Sequence, residues 1–238
     1  MNTSTTGITS QAYIESKSES KSESKSESNP GSNLYKGLRI GILGLQGDFE
    51  AHLRALSKAA ETLHLDVEGV IVKLPQHLTN LDGIIIPGGE STTIGKLMML
   101  YGLQEPLQQM ISQGVPVWGT CAGLILLARE TDNALAGQPL LASMDIRVCR
   151  NAFGSQRESF ETDLTVPELG EAPFHAFFIR GPSVEEVGPE VKVLATLDDG
   201  TIVAVRQGSL LGTAFHPEVT GDARFHDYFL RLVQSAKK

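Results

Sequence analysis

From Leu38 onward the chain alternates short apolar runs with stretches of helical periodicity. Leu38-Arg39-Ile40-Gly41-Ile42-Leu43-Gly44-Leu45 has the nearly unbroken apolar character of a buried strand. Asp48 then stands as N-cap to a helix carrying Phe49, Leu53, Leu56 and Leu63. Val67–Val72 and Gly83–Ile86 read as further strands, the second stopped by Pro87-Gly88-Gly89. Ser91 is positioned to cap a helix through Ile94, Leu97, Met98 and Tyr101. Val115–Trp118 is strand-like and Ala122–Glu130 helical. Phe174–Ile179, Val191–Thr196, Thr201–Val205 and Leu210–Phe215 are short and closely spaced, as in antiparallel strands, and a helix over Asp222–Val233 follows. The pattern predicts an α/β fold: an open, mostly parallel sheet flanked by helices, with an antiparallel extension.

The N-terminal segment breaks this pattern. Glu15–Ser28 repeats Glu-Ser-Lys-Ser without an apolar side chain, so nothing there offsets the entropy of ordering it. Residues 1–35 are therefore expected to be a solvated low-complexity tail, and 36–238 a single domain. The tail has no apolar centre for a secretory signal; its four glutamates precede the first arginine, Arg39, unlike a mitochondrial presequence. A net charge of −8 argues against nucleic acid or an anionic membrane as main partner. No apolar run approaches the ~18 residues of a membrane span. Two cysteines, Cys121 and Cys149, cannot staple a domain of this size and point to a reducing, cytoplasmic setting.

Cys121 is the residue that changes the picture. It lies in Gly119-Thr120-Cys121-Ala122-Gly123, where an apolar strand runs directly into an apolar helix. A sharp turn of this kind lifts a nucleophile clear of a sheet and sets it at a helix N-terminus, where free N–H groups favour thiolate and the Ala122 amide can serve an oxyanion. The alternative for Cys121, less favoured by this motif, is the small buried hydrophobe that free cysteines usually are. Phe215-His216-Pro217-Glu218 supplies a base and an orienting carboxylate: in an extended segment His216 and Glu218 project from one face. The remaining histidines, His52, His64, His77, His175 and His226, have no such context and receive no role. Pro87-Gly88-Gly89-Glu90-Ser91 can turn backbone N–H groups toward a carboxylate or oxyanion, or be a plain strand-to-helix turn. Gly41, Gly44 and Gly47 do not form a dinucleotide fingerprint, and no Cys/His spacing suits zinc, so neither a cofactor nor a metal is expected.

Together these strings resemble the class I (triad) glutamine amidotransferases, whose fold is flavodoxin-like. Gly44-Leu-Gln-Gly, Gly89-Glu-Ser-Thr-Thr, Arg150-Asn-Ala-Phe-Gly and Phe178-Ile-Arg-Gly-Pro narrow the resemblance to glutaminase subunits of pyridoxal 5′-phosphate synthase. The resemblance spans Leu38 to Val233. It implies a triad of Cys121, His216 and Glu218; glutamine held by Gly89, Glu90, Ser91, Arg150, Ile179 and Arg180; and an oxyanion hole from Gly89 and Ala122. It further implies that L-glutamine is hydrolysed and its ammonia passed to a (β/α)₈ synthase partner in a hetero-oligomer that makes the vitamin B6 cofactor. Ser155 departs from the family, where a basic residue is frequent, and the tail has no counterpart. A glutaminase serving another synthase and a non-catalytic α/β docking module are the alternatives.

Overall fold

The computed structural model describes residues 37–133, 137–153 and 159–237; the expected tail over 1–35, Gly154 and Ser155 lie outside them. Five strands form the parallel core: β1 (Leu38–Leu43), β2 (Val67–Val72), β3 (Gly83–Ile86), β4 (Val117–Thr120) and β12 (Leu210–Thr213). They lie side by side in the order β2-β1-β3-β4-β12, every neighbouring pair parallel. That is the doubly wound order in which chain progression reverses between β1 and β3, and ligands settle outside the carboxyl ends of such strands. The expected extension follows: β11 (Ile202–Gln207) pairs antiparallel with β12, then come β9 (Ser183–Val187), β6 (Met144–Cys149) and β5 (Ala128–Asp132). β10 (Lys192–Thr196) pairs with β11, and β7 (Ser159–Leu164) with β8 (Phe174–Ile179) in a separate two-stranded sheet.

Helix α1 (Phe49–Leu63) begins where expected, with the Asp48 carboxylate accepting from the Ala51 N–H at 2.8 Å. It packs against α5 (Arg224–Ala236), while α2 (Ser91–Leu100) packs against α3 (Gln104–Ser112) and α4 (Ala122–Leu127). The β1-to-β2 and β3-to-β4 crossovers run in opposite directions across the sheet. Right-handed connections therefore put the two helix groups on opposite faces. Trp118, fully buried, packs on Phe225 and Phe229 of α5, and its indole N–H donates to the Thr213 hydroxyl at 3.2 Å.

Four local expectations are corrected. The helix after Cys121 ends at Leu127 rather than Glu130, because Ala128 turns extended (φ −60°, ψ 144°) and its successors pair with β6 as β5. Every side chain of α4 is buried, so an all-apolar run carried no periodicity to mark the end. The cap of α2 is Glu90, not Ser91: its carboxylate accepts from the N–H groups of Thr92 (3.1 Å) and Thr93 (2.6 Å). Pro217–Val219 is a 3₁₀ turn and not an extended segment. The strand expected over Leu210–Phe215 as antiparallel runs Leu210–Thr213 and is parallel to β4 on one side, antiparallel to β11 on the other.

Candidate active site

The carboxyl ends of β3, β4 and β12 bring the singled-out residues together. Cys121 follows β4 directly and holds φ 49°, ψ −103°, a conformation that costs an ordinary side chain on the order of 1–3 kcal/mol. Its N–H donates to the Thr213 carbonyl at 2.8 Å, tying the turn to the adjacent strand. The glycine two residues later is dictated by approach: a Cβ on Gly123 would sit 2.0 Å from the Ile86 carbonyl oxygen, so only glycine lets α4 lie this close to β3.

His216 leaves the end of β12 beside Cys121: the point where a Cβ on Gly88 would stand is 2.4 Å from its ring carbon Cε1 and 3.3 Å from Cβ of Cys121. Its Nδ1 meets Glu218 Oε1 at 2.8 Å, which leaves Nε2 as the ring nitrogen able to exchange a proton with sulfur. The pairing expected from an extended strand is thus made by the 3₁₀ turn, with Glu218 folded back beneath the ring. Burial opposes charge on His216, but the hydrogen bonds to Cys121 and Glu218 outweigh it and lift its pKa to about 10. Burial likewise opposes charge on Glu218, yet the bond from His216 holds its carboxyl below the usual carboxylate range. Cys121, His216 and Glu218 therefore stand in one line, an arrangement that can supply a nucleophile, a proton carrier and an orienting carboxylate.

Gly88 and Gly89 cover this line. A Cβ on Gly88 would lie 2.4 Å from Cε1 of His216 and 3.3 Å from Cβ of Cys121. Gly89 sits at φ 148°, and the next N–H, that of Glu90, donates to Gln46 Oε1 at 2.9 Å, bridging the loop after β1 to the loop after β3. Glu90 caps α2 with one carboxylate and pairs through Oε1 with Arg150 Nη2 at 3.0 Å. Ser91 is buried. On the other side of the sulfur, the Ile179 carbonyl lies 3.9 Å from Cys121 Sγ, the Ile179 side chain is exposed, and Arg180 holds φ 49°. Ala122 opens the first turn of α4, whose N–H groups have no partner four residues back. Cys121, His216, Glu218, Gly88 and the Ile179 carbonyl thus meet at the carboxyl edge of the sheet, Glu90 and Arg150 are joined to them through the Gly88-Gly89 turn, and Arg180 follows Ile179 in the chain.

Sequence reasoning missed four participants. Gln138 accepts from Arg150 Nη1 at 2.7 Å and donates to the Ser91 hydroxyl at 3.1 Å, locking Arg150 and the α2 N-terminus together. Gln46 appeared only as part of a family string. His52 and His226, given no role, are fully buried behind Glu218, with His52 Nε2 3.4 Å from Glu218 Oε2 and His52 Nδ1 3.0 Å from His226 Nε2. Burial lowers both histidines to about 3, so both are neutral near pH 7; for His52 the nearby Glu218 only partly counters this.

Comparison with known proteins gives the family. The model of the SNO glutamine amidotransferase family matches residues 42–235. Pyridoxal 5′-phosphate synthase subunit PdxT of Herpetosiphon aurantiacus is 56% identical over 196 residues, covering 82% of this chain and 100% of that protein. The subunit of the same name from Moorella thermoacetica is 52% identical over 196 residues, again 82% and 100%. A crystal structure of a glutamine amidotransferase superposes with a TM-score of 0.72 at 44% identity, covering 82% of this chain and 98% of that one. PurLQS from Thermotoga maritima, at 16% identity and a TM-score of 0.57, shares the fold. With the cysteine turn, its histidine and the match along most of the folded length in agreement, the chain belongs to the SNO glutamine amidotransferase family.

Proposed function

We propose that Cys121, His216 and Glu218 hydrolyse L-glutamine in this chain, as the glutaminase subunit of a pyridoxal 5′-phosphate synthase. The observation that carries the assignment is the positive-φ Cys121 at the end of β4, set beside a His216 ring fixed by Glu218. The Cys121 thiolate attacks the side-chain amide carbon, and the N–H groups of Gly89 and Ala122 receive the oxyanion. His216 gives its proton to the departing ammonia, then accepts one from the water that opens the thioester and releases glutamate. Glu90 and Arg150 form an ion pair that matches a zwitterion: the guanidinium suits the α-carboxylate and the carboxylate the α-ammonium, with Ser91, Ile179 and Arg180 lining the same mouth.

The relatives at 56% and 52% identity carry the name of a synthase subunit, which supports transfer of the ammonia to a second chain. We take that chain to be a (β/α)₈ synthase within a hetero-oligomer. Among the described residues no helix is long and apolar enough to cross a membrane. The free thiols of Cys121 and Cys149 suit the reducing cytoplasm. The test is covalent trapping. A chloromethyl-ketone analogue of glutamine should label the chain once, at Cys121 and not at Cys149, and excess glutamine should slow the labelling. Labelling elsewhere, or labelling that glutamine does not slow, would overturn the assignment.

A further inference from the structure

Behind the triad lies a polar file that the hydrolysis just described leaves unused. Glu218 has a buried carboxylate; Oε1 accepts the hydrogen bond from His216 Nδ1–H, while Oε2 has no hydrogen bond among the described residues. An unsatisfied carboxylate oxygen in a core is costly, and the donor group facing it is the His52 imidazole of α1, 3.4 Å away. His52 in turn meets His226 of α5 at 3.0 Å, and Trp118 walls both rings edge-on. The Thr120 hydroxyl, next to the nucleophile in sequence, lies 3.3 Å from the same His52 Nε2.

We infer that His52 is a positioning residue of the glutaminase reaction: its Nε2–H, shared with the Thr120 hydroxyl oxygen, steadies Glu218 Oε2 by charge–dipole attraction across 3.4 Å, while His226 fixes the His52 tautomer from behind. The proton order follows from the charges. A lone pair on His52 Nε2 would face an anionic carboxylate, so Nε2 carries the proton. His52 Nδ1 is then an acceptor, and His226 Nε2–H donates to it. His226 Nδ1 is left as a bare lone pair, consistent with its having no partner among the described residues. The neutrality of both rings is what makes this order possible, since a protonated His52 would also need to donate from Nδ1. The arrangement acts on catalysis through Glu218: with Oε2 steadied, the carboxylate resists rotating away from His216 when the ring moves its proton.

The titratable groups facing Glu218 are His216 from its own segment and His52 from α1, with Cys121 beyond the first and His226 of α5 beyond the second. Replacing His52 with an apolar side chain leaves Glu218 Oε2 bare and makes its protonation easier. Glu218 is then neutralised at higher pH, and the acid limb of kcat/KM moves upward.

The inference rests on the triad assignment, so its test uses the chain assembled with its synthase partner and reads both. His52→Leu should lower kcat at least ~10-fold while KM for glutamine stays within ~2-fold, and should raise the acid limb by half a pH unit or more. His52→Gln, whose Nε2 amide can donate to the same oxygen, should restore most of the rate and the parental acid limb. Independently of any variant, ¹⁵N NMR of the parent should show His52 protonated at Nε2 and bare at Nδ1. A folded His52→Leu chain with parental kcat and pH profile would overturn the inference, as would equal impairment of both variants with no pH shift, or an Nδ1–H tautomer. In each case loss of activity in His216→Ala would leave the triad standing, whereas full activity there would fell the triad itself.

Discussion

A single methyl group at Gly88 should disable the site without altering any side chain that handles the proton or the substrate. Built on the existing backbone, that Cβ would lie 2.4 Å from Cε1 of His216, where ordinary contact begins at 3.4 Å, so about 1 Å of displacement is required. The imidazole is hemmed in: its Nδ1 is bonded to Glu218 at 2.8 Å, and the Cβ of Cys121 already stands 3.3 Å from the added methyl. Relief moves the ring away from the carboxylate or away from the sulfur, or shifts the Gly88-Gly89 loop and its oxyanion donor. Misplacement by ~1 Å costs about 100-fold in rate, or about 2.7 kcal/mol of transition-state stabilisation. Gly88 has no positive φ that alanine would strain, so Gly88→Ala should fold and melt within a few degrees of the parent. The assay is glutamate release at varied glutamine in the presence of the synthase. A Gly88→Ala chain retaining kcat/KM within ~3-fold would refute the account of this loop.

His216→Ala should approach the loss caused by removing the thiol, while Glu218→Gln, which spoils orientation only, should be about 10²-fold milder; initial rates of glutamate release decide the order. Stability should fall on acidification. His52 and His226 titrate at about 3 folded against 6.5 unfolded, so the stability of burying them neutral is present above pH 6.5 and lost as pH falls toward 3. Between pH 7 and 5 each loses about 2 kcal/mol, while His216, charged in the folded chain throughout, opposes by less than about 1. Urea unfolding should therefore show a net loss on the order of 3 kcal/mol, and unchanged stability at pH 5 would contradict the burial of two neutral rings. The chain alone should be a poor glutaminase that the synthase activates, because the two glycines at 88 and 89 let the oxyanion donor turn inward on docking. Equal glutamate release with and without the synthase would sink that gating.

The sheet and the meeting of Cys121, His216 and Glu218 were legible in the sequence because each carries a sharp local signature. β2 and β3 are bounded by a turn or by proline and glycine, and they appear in the structure at the predicted residues. The nucleophile turn is legible because Gly119 and Gly123 answer to contacts of 2.4 Å and 2.0 Å that no other residue survives. What stayed hidden depends on neighbours distant in the chain. Leu124-Ile125-Leu126-Leu127 is buried all round, so the helix could not announce its end, and β5 exists only because β6 is there to pair with it. Glu90 displaced Ser91 as cap because a longer carboxylate reaches Thr92 and Thr93. The His52–His226 pair did leave a trace. His52 shares the buried stripe of Leu56, Ala59 and Ala60 in α1, and His226 that of Phe225, Phe229, Leu230 and Val233 in α5. A histidine on an apolar stripe needs a buried partner; which partner is set by the packing of α1 on α5 and by the turn that folds Glu218 back.

The most direct test is to reconstitute Cys121→Ala with the synthase and to follow glutamate release and pyridoxal 5′-phosphate formation, first with glutamine and then with an ammonium salt. Glutamate release and glutamine-driven synthesis should both vanish, while ammonium-driven synthesis should proceed at the rate of the parent complex, because the chemistry lost resides at one sulfur atom of this chain. Continued release of glutamate from glutamine by the Cys121→Ala complex would contradict the account.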